Sequence, residues 1–276
     1  MKYIPILFFP ILLFTGCVDD PSSPSCTTVD ETHFLEENAQ NEGVIVTESG
    51  LQYRIIKEGE GDNPSIGNVV FVDYKGSLIS GETFIETEEL DYFVLSDNIL
   101  AGIYEAILLM NEGDTYELVI PSELGYGDEP PPNTSINCGS VLIFDLTLDS
   151  FLRDPDAFMI NNSRNEDIQI TETGLQYRII EEGDGEKPQS NQTVTIRYTG
   201  SFTNGHIFDQ PPDNQAIDMN LGGVIDGFSE GVQLMNEGSI YEFFLPPSIG
   251  YGNSPPRGIP PNVVLVFKVE LVSIQG

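Results

Sequence analysis

TESGLQYRIIKEGEG, residues 47–61, returns 124 positions later as TETGLQYRIIEEGDG, residues 171–185. The two copies stay in step beyond this stretch. Tyr74-Lys75-Gly76 answers Tyr198-Thr199-Gly200, and Phe84 answers Phe208. Leu109-Met110-Asn111-Glu112-Gly113 answers Leu234-Met235-Asn236-Glu237-Gly238, and Gly125-Tyr126-Gly127 answers Gly250-Tyr251-Gly252. Each unit is roughly 110 residues, the size of an independent domain. Within each unit the apolar residues mostly alternate, with β-branched and aromatic types between Gly, Pro and Asn turns, so strands dominate. In the second unit Leu175–Ile180, Thr193–Tyr198, Ile240–Leu245 and Val263–Val272 read as strands, and Asn204-Gly205 as a tight hairpin turn. Asp226 to Met235 breaks the alternation. Phe228, Val232 and Met235 recur at i, i+4 and i+7, which predicts a helix with Asp226 as its N-cap and Gly238 as its stop. The expected fold class is therefore α+β: in each unit a sheet of about five strands and one short helix, which must bury its apolar stripe against one sheet face.

The ends differ from the repeats. Residues 1–16, MKYIPILFFPILLFTG, combine an early Lys with an apolar run and read as a signal peptide. Leu13-Phe14-Thr15-Gly16-Cys17 resembles a bacterial lipobox, which implies lipidation at Cys17 and anchoring through acyl chains rather than a spanning helix. The resemblance also implies a bacterial cell-envelope location on the outer membrane, periplasmic or surface-exposed; Val18-Asp19-Asp20 resembles an address for surface display. Residues 17–43 are rich in Asp, Glu, Ser, Thr and Pro and read as a disordered tether. Residues 44–152 form the first domain, 153–166 a polar linker and 167–276 the second domain.

Eleven Lys and Arg against 44 Asp and Glu give a formal net charge of −33. That surface repels phosphate backbones, so nucleic acid is excluded as a partner. It attracts basic or unfolded chains, and serves equally as a solubility device in a salty medium. The cysteines are Cys17, Cys26 and Cys138. With Cys17 acylated, Cys26 and Cys138 either pair or remain as two separate thiols. His33 and His206 are the only histidines, and no paired-cysteine spacing exists, so no metal or other cofactor is expected.

In the second unit, Tyr198-Thr199-Gly200, Phe208-Asp209, Leu221 to Phe228 (LGGVIDGF), Gly250-Tyr251-Gly252, Gly258 to Asn262 (GIPPN) and Leu265-Val266-Phe267 stand in order. This string resembles the FKBP-type peptidyl-prolyl cis-trans isomerases over essentially all of residues 174–274; the first unit resembles them more faintly over about 50–151. The resemblance implies a twisted antiparallel sheet around one short helix, and isomerisation of X–Pro bonds in proline-containing polypeptides. It further implies a pocket lined by Tyr198, Phe208, Val224, Ile225, Tyr251, Ile259 and Phe267, with Asp209 as the family's one buried acid. Phe228 stands where the family usually has tryptophan, and another aromatic is usual near Ile217, so both count as substrate-binding positions. Catalytic roles fall on Tyr198, Phe208, Asp209, Ile225, Tyr251 and Phe267, with Val224, Phe228, Ile259 and Ile217 shaping the bowl.

The chemistry suits such residues. Rotation about X–Pro is slow because the amide resists twisting, and no bond is broken, so neither nucleophile nor cofactor is needed. An apolar bowl that takes the proline ring and dries the carbonyl favours the twisted amide. The resemblance assigns the Ile225 N–H and the Tyr251 hydroxyl to substrate carbonyls. In the first unit Ile85 replaces Asp209, Ile99 to Ile103 replace Val224 to Phe228, and Ser135 to Gly139 replace Gly258 to Asn262. The acid is therefore expected to be missing there and the copy to be weak or inactive. Three readings remain open: an envelope isomerase working mainly through its C-terminal domain, a non-catalytic chaperone or peptide-binding surface lipoprotein, and a surface interaction protein that uses the fold for adhesion or ligand capture.

Overall fold

A computed structural model describes residue 27 and residues 29–275. The chain divides into two compact units, residues 1–151 and 152–276. The signal, lipidation and display readings, including Cys17, fall outside the described residues. No helix among the described residues is long and apolar enough to cross a membrane.

The first unit holds α1 (Thr32–Asn38), β1 (Ile45–Val46), β2 (Gln52–Lys57), β3 (Val69–Leu78), β4 (Thr83–Glu86), β5 (Asp91–Val94), α2 (Ala101–Leu109), β6 (Thr115–Ile120) and β7 (Leu142–Leu152). The second repeats the order with α3 (Pro155–Asn162), β8 (Gln169–Ile170), β9 (Gln176–Glu181), β10 (Thr193–Phe202), β11 (Ile207–Asp209), β12 (Ile217–Asn220), α4 (Asp226–Leu234), β13 (Ile240–Leu245) and β14 (Leu265–Ile274). Each unit forms one seven-stranded antiparallel sheet. The first has the order β1-β2-β6-β7-β3-β4 with β5 also on β3; the second has β11-β10-β14-β13-β9-β8 with β12 also on β10. The α+β class stands, but with seven strands rather than five. The extra two are a two-residue opening strand and an edge strand split in two, both too short to show a period.

Why this sequence packs so is visible at the helix. Phe228 is 3% exposed and Val232 fully buried; burial of such side chains stabilises by about 1.5–3 kcal/mol each. A Cβ on Gly231 would lie 2.9 Å from the Phe243 ring, so glycine there lets α4 press onto β13. The repeated EGEG/EGDG motif also has a packing cause: a Cβ on Gly183 would sit 2.3 Å from Glu237 O. The helix begins one residue earlier than predicted. Ile225 occupies the N-cap without a side-chain cap, and Asp226 lies in the first turn, where its charge complements the helix dipole. The helix ends at Leu234, with Met235 extended; Gly238 (φ 91°) serves the following turn instead.

Two expectations are corrected outright. The expected disordered tether (17–43) contains α1, and the expected linker (153–166) contains α3. Both helices are anchored from far along the chain. Gln52 is 4% exposed; it donates to Leu35 O (2.9 Å) and accepts from Asn38 (2.8 Å). Gln176, 5% exposed, donates to Met159 O (2.8 Å) and accepts from Asn162 (2.9 Å). Asp154 caps α3 through the Ala157 N–H, with Pro155 at its first position. Phe158, Met159 and Ile168 then cover Phe244, Val264 and Val266 on the outer sheet face. The repeat thus begins at the helix, before the segment taken as its start.

The segment ahead of α1 is tied to the late loop of its own unit. Val29 N–H donates to Cys138 O (2.9 Å), and Val141 N–H donates to Glu31 Oε2 (2.7 Å). Cys138 is disulfide-bonded; the Cys26 named with it lies outside the described residues.

Candidate functional site

In the second unit a cavity of about 410 Å³ opens between α4 and the concave sheet face, lined by Tyr198, Asp209, Met219, Gly223, Val224, Ile225, Phe228, Tyr251 and Phe267. Phe228 forms the floor. Its ring stands edge-on to Phe267 (centroids 5.0 Å) and to Tyr198 (6.0 Å). β10 supplies Tyr198, β14 supplies Phe267, and the turn into α4 supplies Val224 and Ile225. Phe208 does not line the cavity; it stands behind Phe267 at 5.6 Å, perpendicular, and holds that ring in place. Ile259 and Ile217 also lie outside the lining. Met219, two residues along β12 and on the same side as Ile217, takes the wall position that the sequence reading gave to Ile217. Alternation puts Ile217 and Met219 on one face of β12 but does not choose between them.

The polar groups are arranged on one side. Tyr198 Oη donates to Asp209 Oδ2 at 2.7 Å. Asp209, expected to be buried, is exposed at the rim where β11 ends, its carboxylate open to both the cavity and water. Burial, and then the hydrogen bond to Asp209, push the Tyr198 phenol well above its ordinary value. Burial, and then the charge of Asp209, raise that of Tyr251. Both phenols therefore stay protonated as donors. Among the described residues the Tyr251 hydroxyl and the Ile225 N–H have no hydrogen-bond partner. The Ile225 carbonyl, by contrast, is committed to Phe228 N and Ser229 N, both at 3.1 Å. The site thus offers an apolar bowl with two uncommitted donors on its wall. Such a bowl can hold a proline ring and fix two carbonyls with little water present.

The first unit builds the same walls and fills the space between them. Tyr74 (7% exposed), Ile99 (4%), Leu100 (5%), Ile103 (1%), Tyr126 (7%) and Phe144 (0%) belong to one buried cluster. Their counterparts Tyr198, Val224, Ile225 and Tyr251 are half-exposed. Phe93 occupies the Met219 position and Ile136 the Ile259 position, and both join the cluster, with Ile85 packed against it. The missing acid is not wholly missing. Tyr74 Oη donates to Asp91 Oδ2 at 3.0 Å. Asp91 pairs with Val72 as Ile217 pairs with Ile196, so the carboxylate arrives from the next strand instead of from position 85. Among the described residues, no group of three His, Cys, Asp or Glu side chains could hold a metal ion in either unit.

The profile described as FKBP-type peptidyl-prolyl cis-trans isomerase matches residues 61–149 and again 184–272. A second, described as the domain amino terminal to FKBP-type peptidyl-prolyl isomerase, matches residues 27–55, which include α1. The chain is 41% identical over 121 residues to the FKBP-type peptidyl-prolyl cis-trans isomerase FkpA of Aeromonas hydrophila, covering 44% of this chain and 45% of that protein. It is 38% identical over 122 residues to the outer membrane protein MIP of Legionella longbeachae, covering 44% and 52%. The crystal structure of FkpA from Escherichia coli matches at 32% identity with a TM-score of 0.42, covering 44% of this chain and 57% of that one. The chain spans about half the length of the curated relatives it matches.

Proposed function

Because the chain belongs to the FKBP-type peptidyl-prolyl cis-trans isomerase family, we propose that it isomerises X–Pro bonds of exported or envelope proteins, and does so mainly through its C-terminal unit. The observation that carries this reading is the contrast between the two copies. One keeps an open cavity with uncommitted donors from Tyr251 and Ile225; the other has the same walls closed on themselves.

In this reading the proline ring sits against Phe228 and Phe267, which removes water from the scissile-like but unbroken amide. Resonance that is lost on twisting costs about 18–20 kcal/mol uncatalysed. The Ile225 N–H and the Tyr251 hydroxyl hold flanking carbonyls in place, and their value lies in being already positioned when the amide turns. Asp209 orients Tyr198 and supplies a fixed negative charge at the rim. The first unit acts as a binding or spacing module. The relatives' names, one of them an outer membrane protein, support an envelope location, and lipidation at Cys17 is part of the same proposal.

The test uses the full chain and proline peptides followed by exchange NMR. Asp209→Ala and Tyr251→Phe, both at the open cavity, are expected to lower kcat/KM by about tenfold or more, the scale of one lost preorganised donor or charge. Tyr74→Phe and Asp91→Ala, the matching changes in the first unit, are expected to leave it unchanged. Equal losses from both pairs would sink the assignment to the C-terminal unit. No isomerisation by the unaltered chain would sink the enzyme reading and leave a peptide-binding protein.

A further inference from the structure

β14 flanks β10 along its whole length, but the opposite side of β10 is covered by two separate strands. β12 pairs with residues 193–196 and β11 with residues 200–201. Arg197, Tyr198 and Thr199 lie in the break between them. Strand alternation decides which of these faces the opening. Phe202 N–H donates to His206 O across the hairpin (2.9 Å), so the even-numbered residues of β10 turn their backbone away from β14. Tyr198 is one of these. Its N–H and C=O make no hydrogen bond among the described residues.

The first unit seals the same break. Tyr74 N–H donates to Thr87 Oγ1 (3.1 Å), and Thr87 N–H donates to Tyr74 O (3.0 Å). The position 124 residues after Thr87 is Pro211, which has neither an N–H nor a hydroxyl to give. Beyond it the chain turns off through Pro212, Asp213 and Asn214, the last two at φ 52° and 53°. Left-handed backbone at two successive non-glycine residues costs on the order of 1–3 kcal/mol each and clusters at functional sites.

The break opens on a recess of about 240 Å³ whose lining includes Tyr198, Arg197, Asn214 and Lys268. Arg197 is engaged with Glu270 at 2.8 Å. Lys268 is exposed, and its ammonium makes no ion pair or hydrogen bond among the described residues. Tyr198 joins the two hollows: its hydroxyl meets Asp209 at the prolyl cavity, while its backbone faces the break.

We propose that this break is a second subsite for the polypeptide client. The extended chain beside the X–Pro bond pairs one peptide group with the Tyr198 N–H and C=O, and an acidic side chain of that chain meets Lys268. The proposal rests on the isomerase reading of the adjoining cavity and names its preferred substrate: a proline segment with a flanking acid. An adjacent unpaired donor and acceptor on a strand edge are complementary to an extended peptide. A free ammonium on a chain of net charge −33 is a local positive spot that a carboxylate would find against a repulsive background.

The test measures kcat/KM and Kd of the full chain for a prolyl tetrapeptide and for longer Ala-based peptides. The longer peptides carry one Glu, or Gln as its neutral match, two to four residues from the proline on either side in turn. For at least one placement the Glu peptide should surpass the Gln peptide by about two- to fivefold, the size of an exposed ion pair. Lys268→Gln should abolish that difference and leave the tetrapeptide unchanged. Pro211→Thr, which restores the sealing residue of the first unit, should weaken both longer peptides and spare the tetrapeptide. Glu and Gln peptides that behave alike at every placement would overturn the proposal while isomerase activity stands. If nothing is isomerised but Kd shows the Lys268-dependent preference, the enzyme reading falls and the subsite remains.

Discussion

Gly200→Ala offers a direct measure of how tightly the prolyl cavity is shaped from behind. A Cβ at residue 200 would lie 2.9 Å from Phe208 Cε2 and Cζ and 2.9 Å from Phe267 Cε1. Carbon atoms rest at about 3.5–4.0 Å, so the rings must retreat by roughly 0.6 Å or more. Phe267 is 5% exposed and has Phe208 at 5.6 Å on one side and Phe228 at 5.0 Å across the cavity. Its free direction is into the cavity. Overpacking of this kind destabilises by about 1–3 kcal/mol. Since a misplacement of about 1 Å can cost about 100-fold in rate, a shift of 0.6 Å should lower kcat/KM about tenfold. Gly76→Ala in the first unit is the internal control. Its Cβ would meet Phe144 Cε1 and Phe84 Cζ at 2.8 Å, so it should destabilise that unit comparably without touching activity. Denaturant unfolding by circular dichroism and exchange NMR on a prolyl peptide read the two effects. Unchanged activity in Gly200→Ala, with stability reduced, would refute the idea that Phe267 shapes the working surface.

Two further outcomes follow from the same geometry. Gln176→Ala should remove both bonds that hold α3 and lower stability by about 1–3 kcal/mol through the buried partners left unpaired; loss of protection in the 155–162 amides by hydrogen exchange would check it, and retained protection would refute it. Because the phenols of Tyr198 and Tyr251 are raised above their ordinary value of 10.0, their protons persist as pH climbs. kcat/KM should therefore hold from pH 7 through pH 10 and decline only above, and a decline centred at or below pH 10 would count against these phenols as the donors.

The duplicated stretch at 47–61 and 171–185, with its alternating strands and single helical stripe, made the architecture readable because period and turn chemistry are local properties. The cavity lining at Tyr198, Val224, Ile225, Tyr251 and Phe267 was readable only through the family resemblance, whose motifs stand in a fixed order. What escaped were effects made by distant partners. α1 and α3 are each only two turns long, and they are held by Gln52 and Gln176, which lie 14 residues beyond Asn38 and Asn162. Met219 escaped because β12 is only four residues long, too short for alternation to choose between its two inward candidates. Asp91 escaped because its role depends on the register between β3 and β5, which no run of residues encodes by itself.

The break at residues 197–199 has a consequence for solubility. Open sheet edges invite other chains to add strands, and a protein that keeps one exposed runs the hazard of self-association. Here the opening is bounded on both flanks by strands already paired, so it presents a single donor and a single acceptor at Tyr198. A client in the proposed subsite would be gripped at one rung and could not extend a ladder past β11 or β12. The rigid, donorless prolines at 211 and 212 keep the mouth from zipping shut and also from growing. For the proposed subsite, the shortness of that gap implies reversible capture of a client without templating its aggregation.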